Sequence, residues 1–352
     1  MTNTMRHILP FAASALSLLL LSSCTGEPLS ERPGETDRTA IAPEVTIENT
    51  VPATKAPVLG TSFPNGGTYA LWICNGGTFT EFNERTNNIK ATYASADNSW
   101  SYAYDGIESS FTNIIVRKDE GTESTATLDL YAYAPFISGT KDLTAIAFTA
   151  SGQQDLMYAL ENNTDTNKGK GISDPQIISE FRFHHALSLV EFRLKNKNSG
   201  STINVSQTWI KSSGDTQIYT KGSFNAVTGE ITGNTPGAVT LGVNPNSSGT
   251  PQGINITSTS DCTSIYMLVI PTECQGDDII MGFVMDAVGG SDSGLNSFPV
   301  SRDDLKHGDG VTYGFRAGYR YVFNVDIDNY VHLTGVQIDR EWTALEMPEK
   351  II

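Results

Sequence analysis

The stretch Tyr319-Arg320-Tyr321-Val322-Phe323-Asn324-Val325-Asp326-Ile327 decides the fold class. Tyr319, Tyr321, Phe323, Val325 and Ile327 recur at every second position, while Arg320, Asn324, Asp326 and then Asp328 take most of the opposite face. Successive side chains of a strand point to opposite faces, so a period of two reads as a half-buried strand. The segment that follows carries Val331, Leu333, Val336, Ile338 and Trp342.

The same signal recurs upstream. Ile89, Ala91 and Tyr93 alternate, as do Trp100, Tyr102 and Tyr104, and Leu128, Leu130, Ala132 and Ala134. Tyr69 to Cys74 is a short apolar run between Asn65-Gly66-Gly67 and Asn75-Gly76-Gly77, both turn signals. Phe181, Phe183, His185, Leu187 and Leu189 alternate, but Val190, Phe192 and Leu194 lie on the other face. That change of face implies a bulge or a strand covered on both sides. Further strands are expected in 203–210, 222–231, 239–243, 265–271 and 279–285. No stretch past the N-terminus keeps helical periodicity over three turns. Short strands at roughly 8–12-residue spacing with turn residues between them indicate an all-β chain of sandwiches. Two sandwiches suit 352 residues, with a seam near Asp174-Pro175, giving units at 44–175 and 176–352.

At the N-terminus, Arg6 and His7 precede an apolar run from Ile8 to Leu21, then Ser22-Ser23-Cys24. A basic start, an apolar middle and small residues make a secretory signal over 1–23. Leu21-Ser22-Ser23-Cys24 resembles a bacterial lipobox, which implies that Cys24 becomes the first mature residue and carries several acyl chains, enough for a stable anchor. Residues 24–43 are polar, with Pro28, Pro33 and Gly34, and read as a flexible tether. In Glu44 to Val51, Val45, Ile47 and Val51 share one face, which suggests a first strand ended by Pro52.

A net charge of -16, from 39 acidic and 23 basic residues, argues against nucleic acid, whose phosphates need clustered Lys and Arg. Of the 4 cysteines, Cys262 and Cys274 either pair across a hairpin in an oxidising compartment or stay as buried thiols. No Cys/His spacing fits zinc, and no cofactor is expected. His184 and His185 are strand neighbours that point apart, so they read as structural. Asp277-Asp278 and Asp303-Asp304 fall in turn-like stretches, and Lys168-Gly169-Lys170-Gly171 lacks the strand-to-helix context of a phosphate loop. Trp100, Tyr102 and Tyr104 form either a sugar platform or core packing. The platform reading would make the chain a surface glycan-binding lipoprotein.

Several motifs together resemble the fimbrillin family, the subunits of type V pili of Gram-negative bacteria. They are the lipobox, Ala53-Thr54-Lys55-Ala56, Asp155-Leu156-Met157-Tyr158-Ala159, Phe183-His184-His185-Ala186-Leu187 running into Val190-Glu191-Phe192, Gly222-Ser223-Phe224, Thr228-Gly229-Glu230-Ile231, and Ala317-Gly318-Tyr319-Arg320-Tyr321 through Val336 to Trp342. The resemblance implies two transthyretin-like β-sandwiches, lipidation at Cys24, outer-membrane transport and no enzymatic activity. It also implies proteolysis after the first strand, opening a groove that another subunit's C-terminal strand fills. Val331, Leu333, Val336 and Ile338 are the donor candidates, and host glycans or proteins are candidate adhesion targets. Family cleavage usually follows Arg, and the matching position here is Lys55. Arg32 and Arg38 precede the strand, so cutting there frees the protein from lipid without opening the groove. The tail after Trp342 offers only Leu345, Met347, Ile351 and Ile352, with Pro348 among them, which leaves both a shaft and a tip role open.

Overall fold

The computed structural model describes residues 38–41, 44–47, 63–75, 87–107, 109–111, 114–117, 127–152, 154–159, 170–171, 180–245, 248–257, 262–276, 279–286 and 295–339. Among them the regular structure is β-strand, with one short 3-10 helix at Asp303–Leu305. No helix among the described residues is long and apolar enough to cross a membrane. Cys24, Arg32, Val51 and Lys55 lie outside the described residues.

One eight-stranded sheet runs in the order Glu44–Ile47, Glu180–His185, Met157–Tyr158, Thr127–Ala134, Thr68–Asn75, Ile89–Ala94, Ser99–Ala103, with Lys170–Gly171 added beside Thr127–Ala134. Thr68–Asn75 is apolar on both faces because both faces are covered. Tyr69, Leu71 and Ile73 enter one core with Phe181 and Phe183. Ala70, Trp72 and Cys74 enter a second core with Tyr131, Tyr133, Phe224, Leu189 and Leu268.

The C-terminal half is a sandwich. One sheet runs Thr263–Val269, Ser188–Asn196, Arg320–Ile327, Val331–Asp339. In the other, Val239–Gly242 and Ile254–Thr257 pair one after the other along one side of Thr202–Ser212, and Ile279–Met285 pairs along its other side, followed by Leu295–Val300. Inward residues of both sheets make a third core, in which Phe192 meets Phe283 edge-on at 5.1 Å. As the alternation requires, Tyr321, Phe323, Val325 and Ile327 are all buried there.

A three-stranded sheet joins Ile146–Thr149, Tyr219–Phe224 and Ile231–Pro236. Hydrogen-bonded pairing thus crosses the sequence position of the expected seam, since Phe148 pairs with Gly222. Its core explains one motif. Gly229 has φ +79°, and a Cβ there would overlap the Tyr158 ring, so only glycine fits.

The face change after Phe183 has its own cause. Glu180–His185 belongs to the eight-stranded sheet and Ser188–Asn196 to the C-terminal sandwich, so the chain changes sheets at Ala186-Leu187. Ser188–Asn196 is also covered on both sides, with Leu189 in the junction core and Val190, Phe192 and Leu194 in the sandwich core. Glu191, on the junction side, is fully buried. It accepts from Arg193 Nε at 2.9 Å, Ser264 Oγ at 2.7 Å and Arg320 Nε at 2.8 Å, and pairs with a second Arg320 nitrogen.

One expectation is corrected and one open alternative is decided. Arg38–Ile41, placed in the flexible tether, is a strand paired antiparallel with Ile114–Arg117. Its Thr-Ala-Ile run meets an Ile-Ile-Val partner, and the short polar stretch before it hid that affinity. Cys262 and Cys274 form no disulfide, because Cys262 is exposed while Cys274 is turned into the sandwich core.

Candidate functional site

The candidate site is the edge of the eight-stranded sheet at Glu180–His185. In this strand Phe181 and Phe183 are fully buried and Arg182 is exposed, as alternation dictates. One side of the strand pairs antiparallel with Met157–Tyr158. The other side pairs in parallel with Glu44–Ile47, in the register Glu44 to Glu180, Val45 to Phe181, Thr46 to Arg182 and Ile47 to Phe183.

An aromatic floor lies beneath this edge. Phe183 meets Phe63 edge-on at 5.4 Å and Tyr69 at 5.6 Å, and Phe181 meets Tyr69 at 6.1 Å. Burial, with Tyr102 beside it, pushes the Tyr69 hydroxyl well above its ordinary value, so the floor stays uncharged. The strand's far end is pinned by His185, whose Nδ1 lies 2.8 Å from Asp155 Oδ2 inside the protein. His185 is thus a structural histidine.

The other expected positions fall as follows. Trp100 packs against Tyr69 at 4.8 Å and Phe63 at 5.2 Å, and Tyr102 is 4% exposed. Trp100 and Tyr104 are half-buried and pack on the same core, so this row is core packing. Asp304 accepts from the Ser301 amide and hydroxyl in a turn. Among the described residues no group of three or more His, Cys, Asp and Glu is placed to hold a metal. Arg38 sits in its paired strand, opposite Arg117. Val331, Leu333, Val336 and Ile338 are half-buried, and their strand pairs antiparallel with Arg320–Ile327. It is the end strand of its sheet. Arg320 is the residue that pattern reading missed. Its position on the polar face of the alternation looks solvated, yet it is 4% exposed.

The fimbrillin-like family model matches residues 54–341, most of the chain and all of this arrangement except the first strands. The chain belongs to the fimbrillin-like family. This fimbrillin-like protein is therefore a structural subunit of a surface fimbrium, working with other subunits and without an enzymatic role. A candidate cell adhesion protein from Bacteroides ovatus is 15% identical, with 88% of this chain and 99% of that one covered and a TM-score of 0.53. Another from Bacteroides uniformis is 19% identical, with 89% and 100% covered and a TM-score of 0.51. At such identities the likeness is one of fold. No curated protein sequence matches the fimbrillin-like chain.

Proposed function

We propose that this fimbrillin-like chain is exported as an outer-membrane lipoprotein tethered through Cys24 and assembles into a type V pilus by proteolysis-triggered strand exchange. On this reading 44–175 and 176–352 are two transthyretin-like sandwiches. A cut at Lys55 releases the first strand, with Val45, Ile47 and Val51, and a strand from the C-terminal region of another subunit replaces it. Shaft and tip roles both use this acceptor edge.

The observation that supports the reading is the edge pairing of Glu44–Ile47. It makes four register pairs with Glu180–His185, and they are parallel, the slightly less stable arrangement. Removing it leaves unpaired main-chain groups beside Phe181 and Phe183, and such an edge is a template for an added strand. A cut at Arg32 or Arg38 instead leaves Glu44–Ile47 in the chain and so keeps the edge covered.

Treating purified protein with a trypsin-like protease is expected to cut at Lys55 and yield SDS-resistant ladders. Lys55→Gln should suppress them. Cut protein that stays monomeric contradicts the mechanism.

A further inference from the structure

We propose that the pocket where three connections of the eight-stranded sheet meet is a saccharide-binding site, which holds one sugar unit through Asp105, Ser138, Lys141 and Tyr104. This goes beyond strand exchange and does not depend on it.

Residues 87–88 lead into Ile89–Ala94, residues 104–107 leave Ser99–Ala103, and residues 136–141 leave Thr127–Ala134. Together they line a pocket of about 510 Å³, within the size range of small-molecule sites. A polar network fixes its floor. Asn88 is 1% exposed and has φ +50°, a left-handed conformation that asparagine tolerates. Its amide donates to Asp105 Oδ2 at 2.9 Å and to the Ile137 carbonyl at 3.0 Å, and its oxygen accepts from the Tyr133 hydroxyl at 2.7 Å. Asp105 also accepts from Ser138 Oγ and from the Gly139 amide, each at 2.7 Å. The three connections are thus tied together before a ligand arrives, which lowers the ordering cost of binding.

The groups this network leaves over select the ligand. Burial pushes the Asp105 carboxyl up, but the donors from Ser138, Gly139 and Asn88 outweigh it and hold it below its ordinary 3.8. Its oxygens therefore only accept, and a carboxylate has about four lone-pair positions. Three are filled, and the remaining one is on Oδ1. Ser138 donates its hydroxyl hydrogen to Asp105 and keeps its own lone pairs. Adjacent acceptors of this kind require a ligand that carries O–H or N–H donors, and the Asp105 charge repels a bare anion.

Lys141 supplies the opposite capacity. It is exposed and acts on Asp105 through its charge, without a hydrogen bond. Its ammonium offers three donors to ligand oxygens. It is the one cation lining the pocket among the described residues, too little for the phosphates of a nucleotide, which need clustered cations. Tyr104 and Ile107 form an apolar side, with Tyr104 held against Phe111 at 4.9 Å. A pyranose ring matches all three features. Its hydroxyls both donate and accept, and one of its faces is made of C–H groups.

The pocket adjoins Ser99–Ala103, which stands at the opposite end of the sheet order from Glu44–Ile47. Exchange at the first-strand edge leaves it open, so each assembled subunit presents one copy. Repetition along a fimbrium multiplies a weak single contact.

The test is saturation-transfer NMR on purified full-length protein with glucose, galactose, mannose, fucose, N-acetylglucosamine and glucuronic acid, each measured alone. At least one of them is expected to receive saturation. Lys141→Ala should weaken binding of that sugar about tenfold, the loss of one hydrogen bond to a charged group. Lys141→Arg, which keeps the donors, should retain most of it. Lys221→Ala, an exposed lysine on the small sheet, should change nothing. No saturation of any sugar, or equal binding by wild type and Lys141→Ala, would overturn the site. Saturation of free alanine where the sugars receive none would give the pocket to an amino-acid end and overturn the saccharide reading as well. Lys141→Ala should still form SDS-resistant ladders, so either result leaves strand exchange standing.

Discussion

Replacing Glu191 with Ala is expected to lower the unfolding free energy by about 3–5 kcal/mol, because it strands the buried Arg320 guanidinium without its partner. Arg320 is 4% exposed, and its remaining acidic neighbour, Asp339, lies 3.8 Å away. The paired change Glu191→Met with Arg320→Met should be far milder, since apolar groups of similar volume avoid the desolvation of two ions. Urea titration of wild type, the single variant and the paired variant checks this, and a single variant as stable as wild type would contradict it. The pH dependence follows the same geometry. Burial pushes the Glu191 carboxyl up, but donors from Arg193, Arg320 and Ser264 outweigh it and hold it below its ordinary 4.5. A depressed folded value makes this contribution complete above about 4.5 and lost as pH falls through the folded value. The paired Met variant should therefore lose stability less steeply in acid than wild type.

Phe224→Ala is expected to lower stability by about 3–5 kcal/mol, as truncation of a fully buried aromatic does. Phe224 meets Tyr133 and Tyr158 edge-on, each at 6.4 Å, and its strand bonds to Ile146–Thr149. It thus sits where the eight-stranded sheet, the small sheet and the sandwich share one core. The wild type should unfold in one transition by tryptophan fluorescence, because Trp72 in this core and Trp209 in the sandwich report together. In Phe224→Ala the Trp72 signal should move first. A loss below about 1 kcal/mol would show that the site collapses around the cavity instead.

What the sequence disclosed followed from period-two patterning. Tyr319 to Ile327 reads directly as a strand with a buried apolar face. The same patterning puts Arg320 on the polar face, since alternation records which residues share a side and not whether that side is wet. The face change after Phe183 likewise cannot separate a bulge from a passage between sheets, because both break the phase at one point. Tyr158 and Gly229 stand in two quoted motifs, but their contact requires the tertiary fold. The parallel pairing of Glu44–Ile47 with Glu180–His185 joins residues far apart in the chain, and no local signal carries it.

The central claim is that Glu44–Ile47 covers a replaceable edge of the fimbrillin-like chain. Amide hydrogen exchange on Glu180–His185 tests it most directly, measured on intact protein, on protein cut at Lys55, and on the assembled ladder. The account predicts slow exchange on the amides facing the first strand, fast exchange after the cut, and slow exchange again on assembly. Protection that the cut leaves unchanged would contradict it.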